Sequence, residues 1–224
     1  MSTLAQGRTI LRGAWSVARS QIAATLILFA AAGAFALNVW PYDREILAGL
    51  HDLCGDADPL ARRIAWYLGT WGDYPTYNLP FTLFVWIFGA VTGNRTLRRI
   101  ALVAFLGASL AGLGADFFRL TLGRARPDSH MPDGFYGIAY AMRGGFQSFP
   151  SGHAAADLGM GVALLAVSRP LGILTTLFAL AVTWARLELE RHFPSDVIGG
   201  ATLGIYAGLL IGLGANQHER SRLT

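Results

Sequence analysis

The chain has no lysine, a single cysteine and little charge of either sign. All 18 basic residues are arginine, and charged residues make up 14% of the chain, against roughly 25% in ordinary soluble domains. Cys54 stands alone, which excludes an intrachain disulfide and leaves it as a small loop residue. No CxxC or Cys/His cluster points to zinc. The net charge is only +4, with the arginines scattered through loops. Nucleic-acid binding would need a basic face or stripe. Any phosphate-binding cation in this chain must therefore be an arginine.

In place of charge there is apolar sequence. Runs of 14 to 20 residues extend over about Gln21 to Trp40, Tyr77 to Thr92, Ile100 to Phe118, Ala154 to Val167, Leu171 to Ala185 and Val197 to Gly214. Such lengths predict membrane-spanning helices. The expectation is an all-α, polytopic membrane protein: a six-helix bundle forming one domain over residues 1–224. The first run ends in small residues, Ala30 to Ala36, like a signal-peptidase site, but is long for a signal segment and is read as a retained span.

Six spans put both termini on one side, and the arginines choose the side. Arg8, Arg12, Arg19, Arg95, Arg98, Arg99, Arg169, Arg220 and Arg222 all fall on the face carrying the termini, with Glu219 as its one acid. The positive-inside rule makes that face cytoplasmic. Loops near residues 41–76, 119–153 and 186–196 then lie outside. The arginine preference and the lack of organelle signals point to a bacterial inner membrane. Asp58-Pro59 reads as a helix start, followed by Leu60, Ile64, Tyr67 or Leu68, and Trp71 at helical spacing. That segment is either an amphipathic helix on the outer surface or a helix packed on its own bundle. Residues 9–19, with Ile10, Leu11 and Trp15, allow the same reading on the inner side.

Ionisable residues at membrane depth are costly and need a reason. Here they gather at the outer ends of the third, fourth and fifth spans, in the segments Arg119 to Pro127, Phe149 to His153 and Arg186 to Asp196. Arg119, Arg126 and Arg186 can offer forked N–H donors to an oxyanion. Ser151 and Gly152 sit at the expected start of a helix, whose N–H groups favour an anion. His192 and Asp196 are four apart and share a face on a helical turn. A carboxylate on one imidazole nitrogen leaves the other free as base or nucleophile. His153 stands beside the anion site, placed to protonate a leaving group. The set fits phosphoryl transfer through a phosphohistidine, with no metal and no cofactor.

These residues also resemble the type 2 phosphatidic acid phosphatase (PAP2) superfamily, whose signature is K-x6-RP, PSGH and SR-x5-H-x3-D. Arg119-x6-Arg126-Pro127 fits the first part with Arg for Lys. Pro150-Ser151-Gly152-His153 fits the second. Arg186-x5-His192-x3-Asp196 fits the third, with Ala185 in place of Ser. The resemblance implies that His192 attacks phosphorus and Asp196 orients it. His153 would protonate the leaving group and then activate water. Arg119, Arg126, Arg186, Ser151 and Gly152 would hold the phosphoryl oxygens.

The implied substrate is a membrane lipid phosphate: polyprenyl diphosphate, phosphatidic acid, phosphatidylglycerol phosphate or lipid A. A phosphotransferase could use the same phosphohistidine. A vanadium haloperoxidase shares the pocket, but the membrane frame argues against it. A transporter or scaffold that only binds an anion would not need the pair His153 and His192 with Asp196.

Further acids lie close by. Asp116 and Asp157, at helical spacing from Arg119 and His153, are expected to orient those partners. Glu190 stands where relatives carry a small residue. It is expected either to pair with Arg124, Arg143 or Arg191, to touch a head group, or to be a solvated loop acid. His51, His130 and His218 read as surface residues. The stretch Asp128 to Gln147 is either a substrate gate or a plain connector.

Overall fold

A computed structural model describes residues 3–54, 59–129 and 131–223. The described residues form helices and turns, with one isolated bridge between Arg124 and Phe135. The helices are α1 (Thr3–Ser20), α2 (Ile22–Val39), α3 (Asp43–Cys54), α4 (Pro59–Trp71), α5 (Leu79–Val91), α6 (Arg95–Leu122), α7 (Ile138–Ala141), α8 (Gly152–Leu165), α9 (Arg169–Glu188) and α10 (Pro194–Leu223). Among the described residues, four stretches are long and apolar enough to cross a membrane: Ile22–Leu50, Arg95–Leu122, Arg169–Glu188 and Pro194–Asn216. The other two expected runs fall on shorter helices, α5 and α8.

Local chemistry sets the boundaries. Asn94 caps α6, its side chain accepting from the N–H groups of Thr96 and Leu97. Gly123 ends that helix in the left-handed conformation, with φ of 61°. A Cβ there would collide with the Gly137 carbonyl. α5 runs on from a π turn, Tyr74–Asn78, that Asp73 caps.

α8 is the central rod, packed against α6, α9 and α10. At 14 residues it rises about 21 Å, short of the roughly 30 Å hydrocarbon core. Its small residues let neighbours approach closely, because lipid-embedded helices gain stability from backbone proximity rather than from expelling water. α10 places Gly200, Gly204, Gly208 and Gly212 along the seam with α8; a Cβ on Gly204 would lie 2.5 Å from the Ala155 carbonyl. Gly107 of α6 and Gly159 of α8 make an equivalent crossing.

The segment read as an outer loop over residues 41–76 is largely helical. α4 meets α9 through Ala65 and Gly69, both buried, while Leu60, Ile64, Tyr67 and Trp71 are exposed. It therefore packs on the bundle by its small face and turns its apolar stripe outward. α1 buries Ile10 against α10 and leaves Leu11 and Trp15 exposed. Asp58 and His130 lie outside the described residues, as do the side chains of His51, Cys54 and His218. The backbones of His51 and Cys54 belong to α3 rather than to a loop.

Candidate active site

The three motif segments meet where α6 ends and α8 and α10 begin. Ser151 caps α8, and its own N–H donates to the Asp196 carbonyl at 3.0 Å, joining the starts of the two helices. The peptide bond between Phe149 and Pro150 is cis. Arg119, in the last turn of α6, lays its guanidinium over the start of α8. A Cβ on Gly152 would lie 3.0 Å from the guanidinium carbon and both terminal nitrogens, so a glycine is what lets the cation lie there. Asp116 accepts a hydrogen bond from Arg119.

Arg186 comes from the last turn of α9 and passes the bare face of Gly69. The Nε atoms of Arg126 and Arg186 are buried and have no hydrogen-bond partner among the described residues. Arg119, Arg186 and His192 all act electrostatically on His153, and Arg119 and Arg186 both lie within electrostatic reach of Arg126. The structure thus brings together the cations and histidines singled out by spacing. Buried guanidinium donors gathered at one place offer the chemistry that an anion requires.

His192 is buried, 1% exposed. Its Nδ1–H donates to the Ser148 carbonyl at 2.8 Å. Asp196 stands 3.8 Å from that nitrogen, too far for a hydrogen bond. Its Oδ2 accepts instead from Ser148 Oγ at 2.6 Å and from the Phe193 N–H at 2.8 Å. Asp196 therefore reaches the imidazole through Ser148, and the ring nitrogen left with a lone pair is Nε2. Burial lowers the pKa of His192 to about 4, against the opposing pull of Asp196.

His153 Nε2 lies 3.2 Å from the Gly69 carbonyl and 3.6 Å from Asp73 Oδ1. The expected partner, Asp157, is fully buried, and neither carboxylate oxygen has a hydrogen-bond partner among the described residues. The imidazole instead meets the C-terminal end of α4, through the Gly69 carbonyl. Asp73 could not be found by spacing, since it lies 80 residues away in sequence.

Glu190 adopts a left-handed φ of 52°. The Glu190 N–H donates to the Leu187 carbonyl and the Arg191 N–H to the Arg186 carbonyl, which is the Schellman ending normally built on glycine. Arg191 pairs with Asp128 at 2.6 Å.

The stretch from Asp128 to Gln147 is folded back on the first motif. Ala125 N–H donates to the Gly134 carbonyl and Arg126 N–H to that of Gly145, while Tyr136, Tyr140 and Phe146 pack together in tilted and edge-on contacts. A cavity of about 570 Å³ runs from His153, Arg119 and Gly152 along α6 past Leu113 and Ser109 to Phe105. Leu113 and Phe105 are exposed, so it opens sideways.

A family model described as the PAP2 superfamily matches residues 98–218. The chain is 36% identical over 100 residues to a lipid A 4'-phosphatase of Bacteroides thetaiotaomicron, covering 42% of this chain and 44% of that protein. It is 32% identical over 126 residues to a lipid A 1-phosphatase of Rhizobium johnstonii, covering 52% and 50%. The chain thus spans about half the length of these curated relatives. Its fold is similar to the crystal structure of a transmembrane PAP2 type phosphatidylglycerolphosphate phosphatase from Bacillus subtilis. That match has a TM-score of 0.60 and 17% identity over 89% of this chain and 97% of that one.

Proposed function

We propose, for a chain that belongs to the PAP2 superfamily, hydrolysis of a phosphate ester of a membrane lipid through a phosphohistidine on His192. One observation carries the reading. The Nδ1–H of His192 is fixed on the Ser148 carbonyl, which leaves Nε2 unprotonated in a pocket of arginine donors. An imidazole that only helped bind an anion would be better protonated.

His192 Nε2 attacks phosphorus as the bond to the lipid oxygen breaks, and His153 delivers a proton to that oxygen. Arg119, Arg126, Arg186 and the N–H groups at the start of α8 stabilise the charge on the equatorial oxygens. Three guanidiniums supply the charge stabilisation that a cation provides elsewhere, so the step is metal-independent. Water then attacks phosphorus, His153 takes its proton, and the P–N bond breaks. The sideways-opening cavity along α6 suits the apolar chain of the substrate, whose class is shared by the relatives named for lipid A. In this reading the bundle, with α5 and α8 as its shorter apolar helices, sits in a bacterial inner membrane with both termini inside and the site outside.

The test is release of inorganic phosphate from short-chain lipid phosphates by purified protein with chelator present. His192→Ala is expected to lose at least about a thousandfold in kcat. Quenching in alkaline detergent should trap a phosphorylated wild-type protein whose label is acid-labile and base-stable. Full activity in His192→Ala removes the mechanism, and no release across monophosphate and diphosphate lipids removes the enzyme reading.

A further inference from the structure

Arg124 lies two residues before Arg126, yet its side chain enters a different enclosure. It is fully buried. Nη1 donates to Asp196 Oδ1 at 2.7 Å and to Ser195 Oγ at 2.6 Å. Nη2 donates to Asp43 Oδ2 at 2.8 Å and to Asp133 Oδ2 at 3.1 Å. Nε donates to Asp133 Oδ1 at 3.2 Å. A guanidinium has five N–H donors, and all are engaged, so none is left for a phosphoryl oxygen. Trp40 and Phe193 stand 4.3 and 4.6 Å from the guanidinium carbon and close the box.

The three carboxylates come from separate parts of the chain: Asp43 opens α3, Asp133 belongs to the 128–147 connector, and Asp196 lies in the first turn of α10. Arg124 also holds Ser148 twice. Its carbonyl accepts from the Ser148 N–H at 3.1 Å. Its guanidinium fixes Asp196, which accepts from Ser148 Oγ. Ser148 in turn presents the carbonyl that orients His192.

We propose that Arg124 is a positioning residue for the nucleophile: it clamps Asp196 and Ser148 to α3 and to the connector, and so fixes which nitrogen of His192 carries the proton. The proposal rests on His192 acting as described above. Lysine cannot replace it, since one ammonium has three donors and no planar fork for three carboxylates. His192 faces Asp196 on this side, with Arg126, Arg186 and His153 acting on it electrostatically. Without Arg124 the carboxylates of Asp43, Asp133 and Asp196 are uncompensated, and their charge favours protonated imidazole.

The test uses the full chain in lipid nanodiscs, with a short-chain lipid phosphate as substrate and inorganic phosphate as competitive inhibitor. Arg124→Gln and Arg124→Lys are expected to lose about a hundredfold in kcat. KM and the inhibition constant of phosphate should stay within about threefold. The acid limb of the kcat/KM profile should rise by about one pH unit in Arg124→Gln. Adding Asp43→Asn to Arg124→Gln, which removes one anion with the cation, should move that limb back down.

If the Arg124 variants do not fold, Asp133→Asn weakens two of the five bonds and keeps the buried charge. It should lower kcat with KM and phosphate inhibition unchanged. A folded Arg124→Gln protein with wild-type kcat overturns the proposal. So does joint loss of kcat and phosphate inhibition, which would make Arg124 part of the anion pocket. His192→Ala is measured alongside. Activity retained there removes the phosphohistidine reading, whereas its inactivity beside an unaffected Arg124→Gln removes only the clamp.

Discussion

At the scale of the residue, His192 sets the acid limb of the pH profile expected from the proposed mechanism. Burial lowers its pKa from 6.5 to about 4, Arg126 and Arg186 push the same way, and Asp196 opposes them. Under the proposed mechanism His192 must be unprotonated to attack, so the acid limb of kcat/KM should fall near pH 4. A limb at the ordinary imidazole value would count against a buried nucleophile. The same shift enters stability. Between pH 6.5 and 4 the unfolded chain binds the proton and the folded one does not. The contribution of His192 is therefore complete above pH 6.5 and is lost as pH falls through 4. Spacing alone placed His192 beside Asp196. It could not show that a backbone carbonyl, that of Ser148, takes the Nδ1 proton, because carbonyls carry no residue identity. Arg124 was equally opaque: in the sequence it is one possible partner for Glu190, and only its direction shows that three carboxylates occupy it.

At the scale of the element, the site depends on how deeply α8 is gripped. The start of α8 supplies Ser151, Gly152 and His153, and the glycine seam of α10 presses against it. Gly204→Leu would drive a side chain into the Ala155 carbonyl and Leu158. It should cost about 1–3 kcal/mol or more and lower the thermal midpoint in detergent. Gly33→Leu is the control, since a Cβ on Gly33 meets nothing within 4 Å, and its midpoint should stay near wild type. Equal effects of the two would deny the seam its role. The long apolar helices were readable because hydropathy marks them, whereas α3, in a segment read as a loop, was not. The four-residue glycine spacing was there to be read too, but a spacing does not name the helix it faces. α4 shows the same limit: its apolar stripe predicts two packings, and small residues on the other face, Ala65 and Gly69, decide.

At the scale of the molecule, the ends of the bundle are chemically different. Arg99 donates to the Ala215 carbonyl at 3.2 Å, tying the start of α6 to the last turns of α10, and α1 packs beside them. The motif arginines lie at the far end of α6. Its 28 residues separate the two ends by roughly 42 Å, close to the ~40–45 Å of a bilayer with its headgroups. An arginine-rich end held that far from the site is what the positive-inside rule acts on. A fluorescent protein fused to the C-terminus in a bacterial host is therefore expected to fold and fluoresce. A periplasm-dependent reporter should be silent there, yet active when the fusion ends within the 128–147 connector. Charge sets the orientation, so replacing Arg95, Arg98 and Arg99 with alanine should shift a measurable fraction of the connector reporter to the silent state. The reverse pattern in the unaltered chain would place the site on the cytoplasmic face, and with it the head groups within reach of the proposed activity.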